Sequence, residues 1–293
     1  MEATIRRRLA GDEELCALLA ELGNEPAIFY AKSADDLAMQ ANYPQIVFTT
    51  DKFSDAAHGL SGLLNVEIIS SQETTKPEVI ARLVKRDLEN VLFRSDAPFV
   101  LRWQKSEPFM EPAAERTSLI IGLMMTLEIY ELPCGVTAAP DPIQAMQVWA
   151  ERWSDWVVVG LTDFGEIYVP TRERPAVWFS TTAIKMNRQM MQSVFVNADI
   201  NAHIFAPDVC SRREWATALS HALMFVKAIP LADGSPMRLQ NCEQRFDASE
   251  IQGQVQINFE YGLRERRTYG HPLNHMEAEH GGKLRRYDGY LKR

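Results

Sequence analysis

"HPLNHMEAEH", from His271 to His280, places three imidazoles and the carboxylates of Glu277 and Glu279 within ten residues. Those are side chains that bind zinc and similar cations. Their spacing matches no familiar ligand motif, and Pro272 opposes a regular helix that would set His271 and His275 on one face. The expectation is an extended, solvated segment without metal, because short His-containing tracts are only compositional hints. A second candidate is "HGLSG", in which Ser61 follows His58 by three residues. A serine nucleophile of the elbow type needs the G-x-S-x-G turn between a strand and a helix; this stretch lacks it and reads as a turn ahead of the next strand. Neither the Walker nor the Rossmann Gly-rich phosphate loop occurs in the sequence. Cys16, Cys134, Cys210 and Cys242 lack the C-x-x-C spacing of a zinc framework or redox pair and read as reduced thiols in packed positions. The residue chemistry thus predicts no catalytic group, no cofactor and no metal.

Composition restricts the partners. The chain has 293 residues, 46% hydrophobic and 24% charged, which suits an ordinary globular protein of one large domain or two common-sized ones. A net charge of -8 repels phosphate and gives no general attraction to nucleic acid or anionic membrane. The most apolar stretch, "SLIIGLMMTLEIYEL", is interrupted by Thr126 and Glu128 and is too short to span a bilayer. Asp12, Glu13 and Glu14 interrupt the opening basic and apolar segments, against a signal peptide, and a cytosolic setting is expected.

The elements recur. "PQIVFTT", Pro44 to Thr50, has a counterpart in "PAVWFST", Pro175 to Thr181. Downstream of the first, Leu64, Val66 and Ile68 alternate with Asn65 and Glu67; downstream of the second, Ile200, Ala202 and Ile204 alternate with Asn201 and His203. Each is the period-two pattern of a half-buried strand. A helix follows in both cases, with Thr75 and Glu78 predicting a capping box for one and Ser211 and Glu214 for the other. Ile80, Leu83, Val84 and Leu88 then recur at helical spacing, as do Trp215, Leu219, Leu223 and Val226. Two strand-like segments close each half, "FVLRWQKSEPFM" with "LIIGLMMTLEIYEL" and "MRLQNCEQRFD" with "EIQGQVQINFEYGL", so that Leu127–Ile129 aligns with Ile257–Phe259. Upstream, "AIFYAK" from Ala27 is matched to "EIYVPT" from Glu166. A helix opens each half, from Thr4 to Leu22 and from Asp141, with Asp141 as N-cap and Pro142 at N1.

This order predicts an α+β fold: two tandem copies of a small domain with a mainly antiparallel sheet packed by helices, plus a C-terminal extension. The boundaries are 1–135, 136–263 and 264–293. Trp149, Trp153 and Trp156 lie near one helical stripe, and core packing is the expected role, with a contact surface as the alternative. The extension is net basic on an acidic chain. Arg264, Arg266, Arg267, Lys283, Arg285, Arg286, Tyr287 and Tyr290 are its candidate contact residues. It reads as a disordered end or as an arm that docks on an acidic neighbouring subunit, with contact to nucleic acid as a weaker third reading.

The residues "YPQIVFTT", "GLSGLLNVEII", "KPEVIARLVKRDLENVLF" and "SLIIGLMMTLEIYE" resemble the tail terminator, or tail completion, proteins of tailed bacteriophages. The likeness covers most of the first half clearly and the second more loosely. It implies a structural virion protein at the tail–neck region, assembled in the host cytoplasm, that forms a ring on the head-proximal end of the tail tube. Such a ring stops tube polymerisation and joins tail to head. Its implied partners are itself, as six chains or as three chains with pseudo-sixfold symmetry, the tail tube protein, head–tail connector proteins and the sheath protein, with no membrane and no specific nucleic acid. Two units in one chain and a basic extension depart from the family pattern and leave both stoichiometries open. The alternatives are another structural component of a tail or contractile injection particle, such as a baseplate or head-completion protein, and a cytosolic enzyme with a site between the repeats.

Overall fold

The computed structural model describes residues 1–31, 43–55, 59–95, 97–112, 119–132, 139–190, 193–249, 251–264, 276–280 and 283–287. The chain starts with α1 (Glu2–Ala10), which buries Ile5 and Leu9, followed by α2 (Glu13–Cys16). One helix from Thr4 to Leu22 was the expectation, and the chain breaks it at Gly11. Asp12 then caps a new turn by accepting hydrogen bonds from the Glu14 and Leu15 amides. Leu22 belongs instead to β1 (Glu21–Leu22), which pairs with β2 (Glu25–Pro26). There follow β3 (Ile28–Tyr30), β4 (Gln45–Asp55), β5 (Leu60–Ser71), α3 (Pro77–Leu88), β6 (Leu92–Phe93), β7 (Phe99–Pro112) and β8 (Leu119–Glu131).

The second half opens with α4 (Pro142–Trp153), capped by Asp141 with Pro142 in the first turn, as its sequence predicts. It continues through β9 (Val157–Val158), β10 (Ile167–Tyr168), β11 (Ala176–Met190), β12 (Ser193–Phe205), α5 (Val209–Met224), β13 (Ile229–Pro230), β14 (Pro236–Gln244) and β15 (Val255–Arg264). A separate hairpin, β16 (Met276–His280) with β17 (Lys283–Tyr287), lies in the extension.

Neither predicted capping box forms. Lys76 occupies the N-cap of α3 without a side-chain bond, because Pro77 already supplies a helical φ at N1 and removes one orphan amide. Asp208 caps α5, accepting from the Ser211 amide at 2.9 Å and its hydroxyl at 2.7 Å. A carboxylate there satisfies the exposed amides and complements the helix dipole, so the helix begins ahead of Ser211.

Two sheets carry the architecture. The first has the order β10-β6-β7-β8-β5-β4-β3 and the second β13-β14-β15-β12-β11-β9. Pairing is antiparallel within each, except that β3 runs parallel to β4 and β9 parallel to β11. Leaving out β10, the two orders correspond strand for strand, and so do their registers. Phe48 faces Val66 and Leu64 faces Leu127 in one sheet; Phe179 faces Ala202 and Ile200 faces Ile257 in the other. All eight are buried under helices, in one core beneath α1, α2 and α3 and a second beneath α4 and α5. The strand beside β11 is the buried run Val157–Val158, in the place that β3 holds beside β4, and not the segment from Glu166 matched to "AIFYAK". Ile167 and Tyr168 instead cross to pair with Phe93 and Leu92 at the edge of the first sheet. A short apolar run signals a strand but carries no information about which edge it joins.

The halves meet through the sheet faces turned away from the helices. Val100 alternates with the core residues Phe99 and Leu101, and Trp178 with Val177 and Phe179; Val100 and Trp178 lie together in a third cluster with Leu92, Tyr130, Val157 and Phe205. Arg7–Glu166 and Arg94–Asp163 ion pairs border this contact, and the Arg94 amide donates to the Glu166 carbonyl at 2.8 Å.

Candidate functional site

The residues whose chemistry stands out in the sequence do not converge. Ser61 Oγ accepts a hydrogen bond from the Glu131 amide at 3.3 Å, while His58 lies outside the described residues. His271 and His275 also lie outside them, and His280 ends β16, paired with Lys283. Among the described residues no three His, Cys, Asp or Glu side chains are grouped as metal ligands would be. Of the candidate arm residues, Arg266, Arg267 and Tyr290 lie outside the described set; Arg264 ends β15; Lys283, Arg285, Arg286 and Tyr287 stand on β17. Met276–His280 and Lys283–Tyr287 therefore form a hairpin. Cys16 and Cys242 are half-buried free thiols, and burial pushes the Cys242 thiol up. Cys210 is exposed, not packed as expected, because it sits in the first turn of α5 on the solvent side; Cys134 lies outside the described residues.

Folding creates two polar pairs that sequence spacing did not suggest. Ser180 Oγ and His203 Nε2 come within 2.8 Å across β11 and β12, both almost wholly buried. A serine beside an imidazole has the makings of a nucleophile. At this burial the hydroxyl is sealed in the sheet, and the hydrogen bond satisfies two polar groups that folding removes from water. Asp87 and Asp12 form the second pair, where α1, α2 and α3 meet. Arg8 donates to the Asp87 carboxylate and to its backbone carbonyl, each at 3.1 Å, and Arg86 pairs with both Asp12 and Glu14. Burial, then the adjacent Asp12, pushes the Asp87 carboxyl up to about 7. Burial of Asp12 works in the same direction but is outweighed by hydrogen bonds from Asp87, Leu15, Arg86 and Glu14, so its own carboxyl is lowered. These contacts tie three helices together.

The three tryptophans pack against the core as expected, but not as one helical stripe: Trp149 and Trp153 are partly buried on α4, whereas Trp156 lies beyond the helix end. Trp149 and Trp153 stack at 5.7 Å, Trp153 meets Trp156 at 5.6 Å, and Trp156 meets Trp215 of α5 edge-on at 4.9 Å. Trp156 is buried and the others pack against the same core.

The far part of β11 carries one group of exposed apolar side chains; Val209, Met224, Phe225 and Phe246, on and beside α5, are others. Beyond Val177 β11 has no partner on its outer side among the described residues. Ile184 and Met186 face Ala198 and Val196, core residues of β12, so they lie on the helix side of the sheet. Both are nevertheless exposed, at 47% and 69%, because helix cover ends before them. Met190 at the strand end is exposed as well. The first sheet has scattered counterparts in Phe53 on β4 and Met110 on β7. An open strand edge bordered by apolar side chains can accept another strand or an apolar surface. Period-two alternation could not reveal this, since Ile184 and Met186 read like any core-facing positions.

The sequence matches no protein-family model and no curated protein. No helix among the described residues is long and apolar enough to cross a membrane.

Proposed function

We propose that this chain is a structural phage protein, a tandem duplication of a tail-terminator-like domain that assembles into a ring at the head-proximal end of the tail tube. The ring stops tube growth and joins tail to head, at the neck of the virion. The observation that carries this reading is the strand-for-strand correspondence of the two sheets, in order and in register, together with an open, apolar-lined β11 edge on one of them. Two equivalent units per chain let three chains close a pseudo-sixfold ring, whereas six chains would build a double-layered collar; closed symmetry accommodates either. β11 offers the surface for a neighbouring subunit, and the basic extension, with its β16–β17 hairpin, reaches an acidic surface next to it.

Size-exclusion chromatography with light scattering, with and without purified tail tubes, tests this directly. A discrete species of three or six chains, seen as a cap at one end of the tube by electron microscopy, is the expected result. A protein that stays monomeric at high concentration and leaves tubes unbound would overturn it. Deleting Tyr269–Arg293 is expected to leave both sheets folded and to weaken the oligomer; unchanged assembly would remove the extension from the account.

A further inference from the structure

Between the start of α5 and the connection from β14 to β15 lies a cavity of about 210 Å³ whose wall includes four arginines: Arg212 and Arg213 from α5, Arg245 from the connection and Arg102 from β7 of the other sheet. Asp247 is the carboxylate that shares this wall. Four arginines against one aspartate give this wall a net positive charge on a chain whose net charge is -8. Like charges gathered in a partly enclosed space repel one another, and an anion placed between them removes that repulsion.

The hydrogen bonding leaves room for such an anion. Arg213 Nη2 donates to the Phe246 carbonyl at 3.1 Å, a neutral acceptor that holds its side chain beside the cavity. Arg212 Nη1 donates to the Ala206 carbonyl at 3.4 Å, again a neutral acceptor, while the side chains of Arg102 and Arg245 have no hydrogen-bond or ion-pair partner among the described residues. Glu128, the cross-strand neighbour of Arg102, instead accepts from Gln104 at 3.2 Å and from the Tyr130 hydroxyl at 2.7 Å. The α5 amide of Ser211 is already used by Asp208, so the attraction comes from the guanidinium groups rather than from the helix end.

We infer that this cavity binds a multiply charged phosphate group. Planar guanidinium forks match tetrahedral phosphate oxygens and retain their charge at any physiological pH. The recess is roomy enough for a hydrated inorganic anion. A compact recess selects a small anion over a nucleic-acid backbone, which needs an extended basic track. Because Arg102 belongs to the first sheet and the other three arginines to the second half, the bound anion also clamps the halves together. The inference is independent of the assembly role.

Calorimetric titration of the full-length protein with inorganic phosphate, pyrophosphate and ATP, at fixed ionic strength, provides the test. Saturable binding is expected in the wild type and in the remote control Arg6→Gln. In the double variant Arg102→Gln/Arg245→Gln, affinity is expected to fall by at least about tenfold, on the order of one lost charge-assisted hydrogen bond. Far-UV circular dichroism and the melting temperature verify that this variant is folded, and its retained fold makes the comparison decisive. ATP binding more tightly than pyrophosphate assigns the group to a nucleotide, and equal binding assigns it to a free oligophosphate. No saturable heat in the wild type with any of the three ligands, or equal affinity in the folded double variant, overturns the inference.

Discussion

Asp87 is the residue at which the fold most changes the chemistry of a side chain. An unfolded aspartate titrates near 3.9, whereas here burial first, and then the neighbouring Asp12, pushes it up to about 7. Between those values the folded chain holds a proton that the unfolded chain has released. Stability is therefore greatest below about pH 4 as far as this group is concerned, and that contribution is lost as pH rises through about 7. Arg8 and Arg86 oppose the shift without cancelling it. Asp87→Asn mimics the protonated form, so its melting temperature is expected to decline less than that of the wild type between about pH 5 and about pH 8. Parallel profiles would show that Asp87 does not carry the slope. The sequence hid this pair, because Asp12 and Asp87 are far apart along the chain and meet only where three helices converge. Ser180 and His203 were concealed for the same reason, each having the alternating position of an ordinary strand residue.

At the scale of elements, β11 separates what folds the second half from what its surface offers. Its first part, Ala176 to Phe179, is buried and positions the sheet against α4. Its far part keeps the same alternation but projects past the helices, which leaves Ile184 and Met186 to solvent. Arg188 covers the Phe195 ring at 4.2 Å, a cation–π contact that stiffens the ribbon at this point. Ile184→Lys/Met186→Lys is expected to change folding stability by no more than about 1 kcal/mol, since both side chains are exposed. In the proposed assembly the same variant is expected to dissociate the ring measured by light scattering; an intact ring would place the subunit contact elsewhere. Helix termini were legible to different degrees. Asp141 with Pro142 was a correct start signal, whereas the Thr75 and Ser211 boxes lost to Pro77 and Asp208, which supply a preset φ and a charged acceptor.

At the scale of the whole molecule, Trp178 is the largest side chain in the cluster that joins the halves. Truncating a buried aromatic side chain of this size costs about 3–5 kcal/mol. Trp178→Ala is therefore expected to lower the melting temperature and to split a single calorimetric transition into two, one for each helix-covered sheet. A single transition at an unchanged temperature would show that the cluster does not couple them. The bordering Arg7–Glu166 and Arg94–Asp163 pairs are exposed and add little to this coupling.

The sequence by itself determined the α+β class, the succession of long strands and amphipathic helices in each half, and the alignment of "PQIVFTT" with "PAVWFST". These depend on local periodicity, where one face of each element must be apolar. Phe48 and Phe179 occupy corresponding places opposite Val66 and Ala202, as that alignment requires. Tertiary structure alone decided that Val157–Val158 flanks β11, that β10 crosses to the first sheet, that helix cover stops short of Ile184, and that Arg102 reaches the cavity beside α5. Each of those depends on contacts between residues remote in the chain, and local periodicity records which face of an element is apolar but not what that face meets.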